Sequence, residues 1–289
     1  MTSPLSALVA EELALPVEPA VSAMAAAIAA RYPHAARAVL FYGSCLRETR
    51  LDGLMLDFYL IVSDYRAAYG GGWLAWANAQ IPPNVFPFEH DGLIAKYAVL
   101  SEADFAALNR APASSVSVWA RFAQPSRLAW AADDAARGTA VAAISQAPVT
   151  LFALTLPMAT NDNPLDIWRQ GFALTYGAEL RAERKGRNNS VIDADPDRYA
   201  RFGAAALAIA KPIADAPRRW PRLQRHGKLL TLARLAKATT TYAGGIDYLA
   251  WKINRHADAA ITIRPWQRRW PILGAISLLP KLLMKGSVR

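Results

Sequence analysis

Two short polar features interrupt apolar runs in the first quarter of the chain. Gly43-Ser44 follows a run that ends in Phe41-Tyr42, and Asp57 lies inside the run from Leu54 to Val62. A glycine at the end of a strand lets the backbone approach a phosphate, and a helix start behind it favours an anion. A carboxylate on the next strand offers a ligand to a divalent metal that neutralises phosphate charge. Metal-dependent nucleotidyl transfer requires these two features together.

The separation of the two features fits this chemistry. Asp57 lies 13 positions after Ser44, which suits a phosphate grip and a metal carboxylate on adjacent strands. In polymerase-β-like nucleotidyltransferases a second acid usually follows two positions after the first, and Tyr59 stands there in this chain. The competing interpretation is a simple turn at Gly43-Ser44 with Asp57 as a strand-end acid. A carboxylate among apolar neighbours is costly unless it meets a cation or strong donors, which favours the functional interpretation.

Apolar runs predict the elements that position these residues. Residues 38–42, 54–62 and 93–100 are predicted to be buried strands. Residues 5–30 have helical spacing and predict one or two helices, and Ser101 is the predicted N-cap of another helix. From about residue 112 onward the pattern is mostly helical. Breaks between helices are predicted at Pro125, Pro148, Pro157, Pro164 and Pro196.

The chain as a whole predicts an α+β protein. Its 289 residues, 53% of them hydrophobic, are enough for two packed units with a real core. We predict a polymerase-β-like nucleotidyltransferase domain with a small mixed sheet over residues 1–130. A helical domain over residues 131–260 and an amphipathic, membrane-interfacial segment over residues 261–289 are predicted to follow. The single cysteine, Cys45, excludes an internal disulfide framework and a multi-cysteine zinc site.

Charge is distributed unevenly along the chain. Residues 1–180 hold 11 Lys and Arg against 16 Asp and Glu, whereas residues 181–289 hold 22 against 7. A strongly basic second half is expected to seek phosphates on lipid or on nucleic acid. The alternative is a solvated, arginine-rich helical surface.

The C-terminal segment combines cations, tryptophans and a short apolar stretch. Trp266 and Trp270 lie among Arg264, Arg268 and Arg269, and residues 271–280 are mostly apolar. The apolar part is shorter than the roughly 20 residues that span a bilayer. Tryptophan and arginine beside leucine-rich surface indicate an interfacial segment on anionic lipid. A helix docked on the protein's own core is the alternative.

A series of motifs resembles one family along residues 35–250. The matching segments are Phe41-Tyr42-Gly43-Ser44, Met55-Leu56-Asp57-Phe58, Val62-Ser63-Asp64, residues 93–99, residues 120–127, residues 174–181 and, more loosely, residues 237–246. In this order they resemble the mitochondrial-type phosphatidate cytidylyltransferases, the translocator assembly and maintenance family. The chain departs from that pattern at Cys45 and Ala98, where the family has glycine, and at Glu179, where it has aspartate. It therefore resembles a divergent bacterial member.

The resemblance implies a reaction and a set of residues. CTP and phosphatidate would give CDP-diacylglycerol and pyrophosphate, with Mg²⁺ as cofactor and no nucleic acid as partner. The implied residues are Asp57 and Lys96 for catalysis, Gly43, Ser44, Arg121 and Arg127 for nucleotide binding, Asp57 and Asp52 for metal, and Arg181 and Lys237 for substrate phosphate.

Several of these residues have a structural alternative. Ser44 would also serve as a helix N-cap, and Lys96 as a charged residue that protects a sheet edge. Asp52, Asp64 and Asp91 are each better explained as loop or cap acids than as metal ligands. Glu179 and Arg181 would also form a structural ion pair. The histidines show no metal-ligand spacing.

Location and competing functions complete the expectations. The first residues lack the basic and apolar pattern of a signal peptide, so we expect a cytoplasmic protein, peripheral on the inner face of a bacterial membrane. Besides the phosphatidate cytidylyltransferase, two other functions are considered. One is a nucleotidyltransferase with another acceptor, and the other is a non-catalytic basic protein that binds membranes or nucleic acid.

Overall fold

A computed structural model shows how most of the chain folds. It describes residues 3–48, 50, 51, 53–111, 113–178, 191–241, 262–269 and 274. Strands and helices are interspersed up to residue 131, and the described residues beyond it contain helices. The predicted α+β class is therefore confirmed.

Five strands form one mixed sheet with the order β3-β4-β2-β1-β5. The strands are β1 (Ala36–Tyr42), β2 (Met55–Val62), β3 (Asn84–His90), β4 (Leu93–Ser101) and β5 (Ser126–Ala131). β2 and β4 are parallel, and every other neighbouring pair is antiparallel. The three predicted strands correspond to β1, β2 and β4 and are confirmed.

Helices cover both faces of the sheet. They are α1 (Pro4–Ala14), α2 (Pro19–Ala30), α3 (Tyr65–Tyr69), α4 (Trp73–Gln80), α5 (Glu102–Leu108), α6 (Trp119–Phe122), α7 (Asp134–Thr155), α8 (Pro164–Tyr176), α9 (Pro196–Leu207), α10 (Ala216–Thr241) and α11 (Pro265–Arg269). The helical prediction for residues 5–30 is confirmed by α1 and α2. Ser101 caps α5, because its hydroxyl accepts a hydrogen bond from the Asp104 N–H at 3.1 Å.

Two predictions for the region after residue 112 are wrong. Residues 126–131 form β5 rather than a helix, because their backbone pairs with β1 at the edge of the sheet. Pro148 lies inside α7 instead of ending a helix. A proline removes one helical hydrogen bond. The core contacts of buried neighbours such as Ala147 and Leu151 outweigh that loss.

The sheet separates two hydrophobic clusters. One contains Val39, Phe41 and Phe58 and packs against α2 through Met24 and Ile28. Alternate residues of the same strands face the opposite cluster, which joins the sheet to α1, α5, α6, α7, α8 and α9. Helices beyond residue 131 thus pack directly on the sheet, and the division into two domains stays a prediction.

The helix α7 and the residues that follow it are long and apolar enough to cross a membrane. The segment Asp134–Met158 has a mean hydropathy of 1.6 in its most apolar window, and 67% of that window is buried inside the protein. The helices α1 and α2, which bend by 101° at their junction, pass the same test as a pair. In the fold, α7 is the central helix of the larger hydrophobic cluster.

A buried ion pair connects the N-terminal helix to α9. The Arg198 guanidinium donates to the two Glu12 carboxylate oxygens at 2.6 and 3.0 Å and to the Ala123 carbonyl at 3.1 Å. It also lies over the rings of Tyr199 and Phe202. With both partners largely buried, this pair fixes α1 against the helical layer.

Candidate active site

Three polar side chains form a row across the sheet. Tyr42 on β1 pairs with Asp57 on β2, and Asp57 pairs with Lys96 on β4. Directly paired residues of neighbouring strands present their side chains on the same face. That face is the one covered by the larger helical cluster, because Tyr59 and Ala98, two positions further along each strand, belong to it.

Asp57 and Lys96 form a half-buried ion pair. Lys96 Nζ lies 2.9 Å from Asp57 Oδ1, and the two side chains are 32% and 24% exposed, respectively. The Lys96 ammonium is therefore the counter-ion of the buried Asp57 Oδ1, although the angle between the two groups is not that of a hydrogen bond. A buried carboxylate oxygen is normally satisfied by donors or by a cation. Lys96 is that cation here, and a metal ion at Asp57 Oδ1 would have to displace its ammonium group.

Gly43 places the turn after β1 against the same carboxylate. Its backbone angles are φ 95° and ψ −166°, a region that essentially only glycine adopts. A β-carbon added to Gly43 would lie 3.4 Å from Asp57 Oδ2. The Gly-Ser turn and Asp57 thus lie side by side, as expected from adjacent strands.

The turn itself is a short 3-10 helix, Ser44–Arg47. Ser44 is its first residue and Gly43 its N-cap, so Ser44 does not take the N-cap position that its structural alternative requires. The first backbone N–H groups of a helical turn have no partner within the turn. Such groups are the ordinary partners of phosphate oxygens.

Cys45 packs beneath this turn and was assigned no role from the sequence. It is 8% exposed, and its thiol donates a hydrogen bond to the Met55 carbonyl at 3.6 Å. Burial is the main cause that raises the pKa of the thiol, and the nearby charge of Asp57 raises it further. A hydrogen bond with Ser44 acts in the opposite direction but does not cancel these effects. Cys45 is therefore a neutral packing residue whose thiol pKa depends on the charge of Asp57.

Lys96 does not protect a sheet edge. Its strand, β4, lies between β3 and β2 inside the sheet. The alternative of an edge lysine is therefore wrong. The register of β2 and β4 explains why a lysine occurs here, because it brings the ammonium group to Asp57.

Arg121 and Lys237 contribute to a second basic cluster. Arg121 donates to the carbonyl of Ser117, and Lys237 donates to the carbonyl of Ile81. Arg234 joins them, donating to Ser117 Oγ and to the Pro82 carbonyl, each at 2.8 Å. Arg234 was not predicted. It lies one helical turn before Lys237, and that spacing was the only signal in the sequence.

Lys237 has an unusual electrostatic environment. Burial lowers its pKa to about 7, and the charge of Arg234 contributes in the same direction. A group that titrates near neutral pH changes its charge easily when an anion arrives. This property fits the predicted phosphate contact, which stays a prediction.

Arg127 lies at the other edge of the sheet. It is on β5, two strands from Asp57, and its guanidinium donates to the Ser126 carbonyl at 2.9 Å. Burial lowers its pKa, and the charges around it come from Glu12, Arg198 and Asp195. The structure thus places Arg127 beside the buried ion pair of α1 and α9. Its predicted contact with nucleotide stays a prediction.

The remaining predicted residues fall into two groups. Asp52 and Arg181, like Glu179, lie outside the described residues. Asp64 caps α3, accepting hydrogen bonds from two backbone N–H groups at 2.8 Å, so its interpretation as a cap acid is confirmed. Within the described part of the chain, no three His, Cys, Asp or Glu side chains cluster closely enough to hold a metal.

Comparison with known proteins adds no family to these observations. No protein-family model and no curated protein matches the chain. Arguments for a function therefore rest on the arrangement of Gly43, Asp57 and Lys96 and on the resemblance of the motifs.

Proposed function

We propose that this protein is a Mg²⁺-dependent nucleotidyltransferase that converts CTP and phosphatidate to CDP-diacylglycerol and pyrophosphate. The observation that carries the proposal is the contact of the Gly43 turn with Asp57. On the other side of Asp57, the Lys96 ammonium lies 2.9 Å from Oδ1. Phosphoryl transfer requires backbone groups that bind phosphate, a carboxylate that binds a metal ion and a positive charge. The Gly43 turn, Asp57 and Lys96 would supply these three components in one place.

The residues present fit a magnesium ion. Mg²⁺ commonly binds through one or two carboxylates together with substrate phosphates and water. The Asp57 carboxylate would supply one ligand, and the nucleotide would supply others. Asp52 is the proposed second carboxylate. A bound Mg²⁺ would neutralise charge on the transferred and leaving phosphates.

The protein's own groups would position the reactants. The backbone N–H groups at Ser44 would bind the leaving phosphates, and Lys96 would move from Asp57 to a phosphate oxygen. A phosphatidate oxygen attacks the α-phosphorus of CTP, and the bond from that phosphorus to the pyrophosphate oxygen breaks. The attacking oxygen is already anionic at neutral pH. Catalysis then requires orientation and charge neutralisation rather than a general base.

The C-terminal helix supports a peripheral membrane location. In α11, Trp266 is 44% exposed, whereas Gln267 is buried. The neighbouring Arg264, Arg268 and Arg269 are exposed. One side of this short helix thus contacts the protein, and the other presents tryptophan and arginine. We propose that it meets the anionic inner face of a bacterial membrane, where the lipid substrate lies.

The decisive experiment is a pyrophosphate-release assay with CTP, Mg²⁺ and phosphatidate vesicles. Asp57→Asn is expected to lower the rate by at least about 100-fold, because a metal ligand with a preorganised charge is lost. Asp64→Asn is the matched control, since asparagine caps a helix as well as aspartate. Equal activity of the two variants would exclude Asp57 from the site.

Substrate identity is tested in the same assay. Replacing CTP by ATP and phosphatidate by glycerol phosphate separates the proposed reaction from nucleotidyl transfer to another acceptor. Preference for ATP would contradict the cytidylyl proposal. Absence of product with every nucleotide, from folded protein, would favour the non-catalytic function.

A further inference from the structure

One face of α10 presents a row of positive charges, and the nearest acid, Asp215 before the helix, pairs with Arg219 at 2.8 Å. The helix holds seven Lys and Arg residues and no Asp or Glu. Arg218, Arg222, Arg225 and Leu229 follow one another at spacings of four, three and four residues, which places them on the same side of the helix. All four are exposed, and Leu229 is 64% exposed. The stripe spans about 16 Å of helix axis.

A cavity adjoins this stripe at Arg222. Its volume is about 280 Å³. The rim carries Arg219, Arg222 and His226, and apolar side chains, including Leu154 and Leu223, contribute to its lining. His226 Nδ1 lies 2.8 Å from the Ser114 carbonyl, so Nδ1 carries the proton and fixes the ring at the rim.

The chemistry of this surface selects an anionic, partly apolar partner. Arginine forks bind phosphate oxygens in pairs. The phosphates of a nucleic acid would pair with the arginines equally well. They would leave the exposed leucine and the apolar cavity lining without an apolar partner. The only tryptophan of the helix, Trp220, is buried and unavailable for base stacking. In a phospholipid surface the head-group phosphates pair with the arginines, and the boundary of the acyl chains contacts the leucine.

We propose that the stripe from Arg218 to Leu229 docks on an anionic phospholipid bilayer and that the adjoining cavity receives a lipid head group. This membrane contact is separate from the one assigned to α11. It does not depend on the nucleotidyltransferase activity. Together the two contacts would hold the protein at the membrane at two points, which fixes its orientation there.

Vesicle co-sedimentation of the full chain tests the docking surface. The triple variant Arg218→Gln, Arg222→Gln, Arg225→Gln is compared with a control, Arg66→Gln, Arg110→Gln, Arg137→Gln, which removes the same charge from exposed positions elsewhere. On phosphatidylglycerol vesicles the first variant is expected to lose about 100-fold in partition coefficient, since each surface arginine contributes about five-fold. The control variant is expected to lose much less. Equal losses in the two variants would overturn the proposal.

Further arms distinguish the partner and the cavity. Binding of the wild-type protein is expected to fall steeply with salt and to be weak on phosphatidylcholine alone. Leu229→Gln is expected to weaken binding at high salt, where the apolar contact dominates. Ala113→Leu fills the cavity without changing charge and is expected to weaken binding several-fold. Unchanged binding of Ala113→Leu would overturn the cavity assignment, and displacement of vesicles by duplex RNA or DNA would overturn the choice of lipid.

Discussion

Replacing Gly43 by alanine separates the backbone role of this residue from its role in the site. The angles φ 95° and ψ −166° lie in a region that costs any other residue about 1–3 kcal/mol. The new methyl group would be 3.4 Å from Asp57 Oδ2, close to ordinary contact, so steric overlap adds little. We expect a loss of about 1–3 kcal/mol in the free energy of unfolding, or a melting temperature lower by several degrees.

Gly70→Ala is a closely matched control. Gly70 has φ 71° and ψ −163°, which is the same region of backbone conformation. A β-carbon there would meet nothing within 4 Å. Both variants should therefore lose similar stability in urea unfolding. Only Gly43→Ala places an apolar group beside the carboxylate and across the path of an incoming phosphate.

Calorimetric titration with CTP and Mg²⁺ supplies the second measurement. We expect Gly43→Ala to bind at least about ten-fold more weakly than wild type, a difference of about 1.4 kcal/mol. Gly70→Ala should bind like wild type. If both variants lose the same stability and both keep full affinity, the Gly43 turn does not contact the nucleotide. If Gly43→Ala loses no stability, the argument from its backbone angles is wrong.

Three further predictions follow from charges inside the fold. Glu12→Ala should lower the free energy of unfolding in urea by about 3–5 kcal/mol, because it leaves the buried Arg198 charge without its partner. Adding Arg198→Met to this variant should restore full stability, because the unpaired charge is then removed as well. Between pH 7 and 10.5 the unfolded chain binds more protons than the folded one at Lys237, so stability should rise with pH in this window. Lys237→Met should remove this rise in the free energy of unfolding with pH. An unchanged rise would mean that a group other than Lys237 causes it. Cys45 should react slowly with iodoacetamide at neutral pH and faster after Asp57→Asn, since losing that charge lowers the pKa of the thiol; equal rates would mean that the two groups do not interact.

The sequence alone was sufficient for the local features of the site. Apolar runs predicted β1, β2 and β4, and glycine after an apolar run predicted the turn at Gly43. An aspartate inside such a run marked Asp57 as exceptional. These predictions succeed because strand burial, glycine conformation and the cost of a buried carboxylate are encoded within a few neighbouring residues.

Other features depend on pairing between distant parts of the chain. The strand β5 is short and ambiguous by itself, and it forms because its backbone completes hydrogen bonds with β1. Pro148 remains helical because tertiary packing outweighs a local preference. Arg127 lies within the electrostatic influence of Glu12 and Arg198, residues far from it in sequence.

What the sequence determined by itself was the set of groups proposed for phosphate chemistry, Gly43, Ser44, Asp57 and Lys96. It also determined the two strands that carry Asp57 and Lys96 and the strand that leads into Gly43. Only the tertiary structure decided which of them meet. The parallel register of β2 and β4 brings Lys96 to Asp57, and the packing of α10 brings Arg234 to Ser117 and Pro82. A local pattern specifies burial and backbone conformation. It does not specify the partner strand or its register, because these are fixed by the complementarity of whole faces when the core forms.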